Sequence, residues 1–193
     1  MSEAHELNDD RKYTYADYKA WELKPGERFE LIHGDAFAMS APGLTHQRIL
    51  MTLSGEFYNF LKNKKCRVLP APFDVRLFYK EDESDDTVVQ PDLVVICDSG
   101  KLSEEGCRGA PDMVVEIISP SNTFYEMQRK LNLYKDAMVR EYWIIDPKNK
   151  NVSVYRLDKD EYILRTFNIQ DTVRSFVLSG FEIPLSVIFT NED

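Results

Sequence analysis

No apolar run in the chain approaches the ~20 residues that a membrane-spanning helix needs. The opening stretch, MSEAHELNDDRKY, is polar and acidic, so it does not read as a secretory signal. Cysteine is scarce: Cys66, Cys97 and Cys107 are an odd count with no Cys-x-x-Cys pair. That pattern indicates neither a disulfide framework nor a cysteine-based zinc site, and a reduced, cytoplasmic protein is the default expectation. Basic charge is also short. Lys and Arg number 24 against 33 Asp and Glu, for a net charge of −9. This balance works against non-specific binding to a phosphate backbone, where Lys and Arg supply most of the affinity. There is no helix-turn-helix or zinc-finger spacing, no internal repeat and no linker.

What is present points to a folded unit. The 193 residues are 43% hydrophobic and 12% aromatic, which argues against disorder and allows a substantial core. A single domain over 1–193 is expected, with 1–12 as a flexible tail. The acidic run Glu81, Asp82, Glu83, Asp85, Asp86 and the basic cluster Lys62, Lys64, Lys65, Arg67 both read as solvated faces. Thr14 predicts the cap of a short helix from Tyr15 to Leu23, ended by Lys24-Pro25-Gly26. "RFELIHGDAFAMS" reads as a hairpin turning at His33-Gly34. Ile49, Leu50, Leu53, Phe57, Phe60 and Leu61 recur at helical spacing between Thr45 and Lys62. Strands are expected at Phe73–Tyr79, Leu93–Cys97 and Met113–Ile118. A helix follows from about Asn122 to Met138, then strands at Glu141–Ile145, Val152–Leu157 and Tyr162–Thr166, closing near "GFEIPLSVIF". Strands mixed with helices predict an α/β sandwich around one central sheet.

One strand carries a puzzle. In "PDMVVEIISPSN", Glu116 interrupts an apolar run that reads as buried on both faces. An ionised carboxylate is costly there unless it is paired or binds a cation. If the two consecutive Pro-Asp strands pair antiparallel, Asp92 at the start of the first falls beside Glu116 late in the second. Asp112 falls at the far end of that ladder and is left out of the site. Two carboxylates suit a hard cation such as Mg²⁺. Glu116 to the turn at Pro120 is ~13 Å at strand rise, and a helix returning from Asn122 covers ~12 Å by Lys130. Lys130 thus returns to the level of Glu116, with Glu126 one turn earlier on the same face. A lysine beside two carboxylates and a metal can orient a water or stabilise charge on a phosphoryl transition state. A plain buried Glu116–Lys130 ion pair fits the same spacing.

"QPDLVVI", "VVEIISPSN", Glu126 with Lys130 and Tyr134, and "REYWIIDP" together resemble the bacterial putative restriction endonuclease family of the PD-(D/E)XK nuclease superfamily. "FELIHGDAFAMSAPGLTHQ" resembles that family's opening hairpin and helix. The resemblance implies a restriction endonuclease-like α/β fold, a central mixed sheet flanked by helices, and metal-dependent phosphodiester hydrolysis. It maps Asp92 to the Pro-Asp aspartate and Glu116 to the (D/E) position. The superfamily lysine belongs two residues after the acid, where this chain has Ile118; Lys130 on the helix takes its place. Glu126 stands where relatives more often carry Asp.

Glu30 and His46 fall in the opening motif. Glu30 sits in an apolar-flanked strand and is read as a further acidic site residue. His46, near a helix start, is read as a helix-surface histidine, with phosphate or water binding as the alternative. Gln90, before Pro91-Asp92, is a further candidate contact. Tyr142 and Trp143 read as core or interface aromatics, and Asp146 as a turn residue. The expected protein is therefore a Mg²⁺- or Mn²⁺-dependent endonuclease acting on DNA. Asp92, Glu116 and the Ile117 backbone carbonyl hold the metal, Lys130 handles the water, and Glu30 completes the cluster. The alternative is an inactive nuclease-fold module used for binding or assembly. A homodimer would suit cutting of both strands of a duplex. No membrane partner is expected.

Overall fold

The computed structural model describes residues 11–119 and 123–190. The turn expected at Pro120, the helix start at Asn122 and most of the expected 1–12 tail lie outside the described residues. Arg11 and Lys12 are described, and pair with Asp17 and Asp35.

Chain order begins with α1 (Tyr15–Lys19), β1 (Phe29–Ile32), β2 (Asp35–Ala38), α2 (Leu44–Leu61) and β3 (Arg67–Pro70). The short strands β4 (Val75–Arg76) and β5 (Val88–Val89) precede β6 (Leu93–Ile96), β7 (Leu102–Ser103) and β8 (Gly106–Arg108). Then come β9 (Met113–Ile117), α3 (Phe124–Asp136), β10 (Glu141–Asp146), β11 (Asn151–Asp158) and β12 (Glu161–Asn168). β13 (Thr172–Arg174), β14 (Glu182–Pro184) and α4 (Leu185–Ile188) close the described chain.

The central sheet is mixed, in the order β12-β11-β10-β9-β6-β3, with β9 and β10 parallel and the other neighbours antiparallel. The α3 crossover makes the parallel pair possible, because parallel strands cannot be joined by a tight turn. Strand alternation divides the apolar residues between the two faces. Met113, Val115, Ile117, Trp143 and Ile145 meet α2 and the C-terminal elements, where Phe57 stacks on Phe181 at 4.3 Å between ring centroids. Val114, Tyr142 and Ile144 meet Leu133 and Tyr134 of α3 on the opposite face.

A second six-stranded sheet, β2-β1-β5-β4-β8-β7, covers the rest of the α3 face. The central sheet is thus as expected, but it shares the domain with a layer not separated in the sequence. Four of that layer's strands have only two or three residues, too short for an alternation to register. Phe73–Tyr79, expected as one strand, contributes only β4. The β1–β2 hairpin turns at His33 (φ 50°) and Gly34 (φ 82°), both left-handed, as a two-residue hairpin loop requires.

Two expectations are corrected. Cys66 and Cys97 form a disulfide. They face each other one step beyond the Arg67↔Ile96 pair of β3 and β6, so sheet register brings them together across 31 residues of sequence. The cysteine argument for a reducing compartment loses its premise. Cys107 alone is free, and burial pushes its thiol pKa up to about 11. In the acidic run, Asp85 is not solvated. It is 1% exposed and takes the Arg76 guanidinium, with Nε donating at 2.9 Å. A carboxylate drawn into the interior needs such a partner, and β4 supplies it. Among the described residues no helix is long and apolar enough to cross a membrane.

Candidate active site

The β6–β9 register, Leu93↔Val115 and Val94↔Val114, sets Asp92 against Glu116 at its next step, as the antiparallel argument requires. Both lie on the face shared with Val94 and Val114, toward α3 and the second sheet. Asp112 sits at the other end, accepting from the Cys97 backbone N–H and from Arg140.

α3 brings Lys130 over this face. Thr123 caps the helix and Glu126 completes a capping box, its Oε2 accepting from the Thr123 N–H at 2.7 Å. Lys130 Nζ then donates to Glu116 Oε1 at 2.8 Å and to Glu30 Oε1 at 2.9 Å. Glu30, on β1, also accepts from the Gln90 backbone N–H at 3.0 Å. The Gln90 side chain turns away, its Nε2 donating to Asp74 and to the Tyr18 hydroxyl. Tyr134, one turn after Lys130, donates its hydroxyl to Glu116 Oε1 at 2.8 Å. Tyr134, named in the sequence as part of the family resemblance, joins the site through its i, i+4 spacing from Lys130.

His46 departs from the helix-surface reading. α2 begins without a side-chain cap, and the ring turns inward so that Nε2 lies 3.0 Å from Asp92 Oδ2. The same Oδ2 accepts the Ile117 backbone N–H at 2.7 Å. His46 Nδ1 and Gln90 Oε1 are buried without partners among the described residues. Tyr142 and Trp143 are core residues on opposite faces of the sheet, and Asp146 accepts from Asn149 in the turn after β10.

Burial pushes the Glu116 pKa up to about 7; Lys130 opposes this, while the charges of Asp92 and Glu30 add to it. Burial works against the Lys130 ammonium, but Glu116 and Glu30 outweigh it and raise its pKa above the ordinary lysine value. Lys130 therefore remains a cation at neutral pH and serves as a donor, not a base. Burial raises the Tyr134 hydroxyl well above its usual range, and Glu116 adds to the effect.

All eight residues singled out in the sequence line one cleft of about 530 Å³: Glu30, His46, Gln90, Asp92, Glu116, Ile117, Glu126 and Lys130. The cleft opens between the central sheet, the β1–β2 hairpin and α3. Among the described residues, no group of three or more His, Cys, Asp or Glu side chains is arranged to hold a metal ion. Protein ligation would therefore rest on two carboxylates and backbone. Asp92 engages through Oδ2 and Glu116 through Oε1, so one oxygen of each has no hydrogen-bond partner among the described residues. That donor set fits a hard cation that keeps several waters.

The mixed sheet, its flanking helices and this cleft define an α/β restriction endonuclease-like fold. The chain belongs to the Uma2 family, described as "Putative restriction endonuclease", whose model matches residues 15–186. It is 24% identical over 180 residues to the uncharacterized protein slr1290 of Synechocystis, covering 92% of each chain. It is also similar to the crystal structure of a putative nuclease of the DUF820 group from Anabaena variabilis. That similarity has a TM-score of 0.72 at 18% identity, covering 92% of this chain and 97% of the other.

Proposed function

We propose that the protein is a Mg²⁺- or Mn²⁺-dependent endonuclease that hydrolyses phosphodiester bonds in DNA, with a PD-(D/E)XK-type centre whose lysine comes from α3. One observation carries the reading: Asp92 and Glu116 face each other across β6 and β9, with Lys130 Nζ 2.8 Å from Glu116. Asp92 and Glu116 would hold the cation. The Ile117 N–H points at Asp92, and a strand residue's carbonyl points the same way as its own N–H, so that carbonyl would be the third ligand. The bound cation would polarise the scissile phosphate and lower the pKa of a water.

The side chains do the rest. Lys130, held cationic by Glu116 and Glu30, places a donor where charge grows on the phosphoryl oxygens and orients the attacking water. Glu30 and Tyr134 position Lys130 and Glu116. His46 holds Asp92. Water gives up a proton to solvent as it adds to phosphorus, the bond to the leaving sugar oxygen breaks, and that oxygen takes up a proton from solvent. The products are a phosphomonoester and an alcohol.

A homodimer is part of the proposal. α2 leaves Leu44, Met51 and Tyr58 exposed (76%, 74% and 60%) at seven-residue spacing, one apolar stripe that a second copy could cover. Light scattering of wild type beside Met51→Asp tests it: a dimer that becomes a monomer supports the stripe, and a wild-type monomer removes it.

The second reading, a binding module with a self-sufficient Glu30–Lys130–Glu116 ion network, draws on the two ion pairs that already satisfy Lys130 without a cation. Supercoiled and single-stranded DNA incubated at low salt with Mn²⁺ or EDTA, beside Asp92→Ala, separates the two. Mn²⁺-dependent cutting lost in the variant supports the nuclease. Equal behaviour with no cutting favours the module.

A further inference from the structure

The cleft has a second feature that the carboxylate centre does not use. Arg129 lies over the Phe37 ring, its guanidinium carbon 3.7 Å from the centroid, and its Nε is buried without an acceptor. Phe37 on β2 stands directly opposite Glu30 on β1, so this cation–π pair borders the carboxylates. Arg28, two residues before Glu30, shares its side of the hairpin and lines the same cleft. Among the described residues neither arginine has a carboxylate within salt-bridge distance. Glu126, the nearest acid on α3, is committed to the Thr123 cap. In a chain of net charge −9, two unpaired guanidiniums in one cleft are a specific provision for an anion.

The aromatic partner is on the same helix stripe. Tyr125 lies one turn before Arg129 on the same face of α3 and is 75% exposed; its neighbour Phe124 is 77% exposed. Arginine interleaved with aromatic rings tracks a strand whose bases are free: the guanidinium takes phosphate and the ring takes a base face. A duplex would meet the arginines but would leave the rings nothing to stack on, because its bases face one another.

We infer that the Tyr125–Arg129–Phe37–Arg28 rim is a binding track for single-stranded or locally unpaired nucleic acid, feeding an unstacked segment past the Asp92–Glu116 centre. The track deepens the nuclease reading and rests on it for the chemistry, though not for binding.

The test is fluorescence anisotropy of the full chain in EDTA, with a labelled DNA oligonucleotide either single-stranded or annealed to its complement. Wild type should prefer the single strand by about tenfold or more, and Tyr125→Ala should weaken single-strand binding on the order of 5- to 100-fold, with Tyr125→Phe restoring it. Arg129→Ala should weaken single-strand binding and flatten its dependence on salt by about one phosphate contact. Equal affinity for the two forms, no binding of either, or a Tyr125→Ala variant that binds single strand like wild type overturns the track. Cleavage with Mn²⁺, run beside it with Glu116→Gln, keeps the two ideas apart. A single-strand preference without cutting supports the track and counts against the nuclease. Cutting without the preference does the reverse.

Discussion

Replacing Lys130 by Met should cost more stability at pH 8 than at pH 5. The ammonium bridges two carboxylates whose side chains are only 6% and 15% exposed, while its own is 19% exposed. Removing one partner of a pair this buried leaves charge uncompensated, a loss of about 3–5 kcal/mol, well above the ~1 kcal/mol of an exposed pair. The pH dependence follows from Glu116. Burial already raises its pKa from 4.5 to about 7, and Lys130 is the influence that holds it down, so the variant carries it higher still. A carboxyl whose folded pKa is raised contributes stability that is fully present below its unfolded pKa and lost as pH rises through the folded one. The variant's deficit should therefore be smaller near pH 5, where Glu116 is neutral and only the Glu30 pairing is lost, and larger at pH 8. Urea unfolding of both proteins at the two pH values measures it. Adding Glu116→Gln to Lys130→Met should recover part of the pH 8 loss, because the two side chains touch. Equal deficits at both pH values, or a pH 8 loss below about 1 kcal/mol, would refute the reasoning.

Tyr134→Phe removes a hydroxyl that stabilises the charged form of Glu116, so the Glu116 carboxyl, followed by carbon-13 NMR, should titrate higher. An unmoved titration would deny Tyr134 its positioning role. Thiol titration in denaturant should count one free cysteine before reduction and three after. Cys66→Ser should cost about 3–4 kcal/mol, the loop-closure entropy of a 31-residue separation. Three free thiols without reductant would contradict the bridge.

How legible the site was depended on distance along the chain. β6, β9 and α3 lie close along the chain, with only the short β7 and β8 between the two strands, so strand rise, helix rise and antiparallel pairing were enough to bring Asp92, Glu116 and Lys130 together. Glu30 met them as the hairpin motif implied, although the backbone N–H that fixes it comes from Gln90, 60 residues on. What failed to show in the sequence depends on tertiary placement. His46 turns inward because the first turn of α2 lies beside Asp92 at the start of β6, which no periodicity reveals. Asp85 sits in a run of charges and differs from its neighbours only because Arg76 lies behind it. The second sheet is made from strands too short to show an alternation. The disulfide follows from register between two strands, not from cysteine spacing. Arg129 stayed hidden next to Lys130, because what makes it notable is the ring of Phe37 beneath it.

The central claim is that Asp92 and Glu116 jointly hold a divalent cation. Titration of metal-free protein with Mn²⁺, followed by electron paramagnetic resonance, tests it without relying on a substrate. The account predicts one bound ion per chain in the wild type, lost in Asp92→Ala and weakened in Glu116→Gln, with both variants still folded by circular dichroism. Mn²⁺ bound equally by wild type and Asp92→Ala, or not bound by wild type at all, would contradict it.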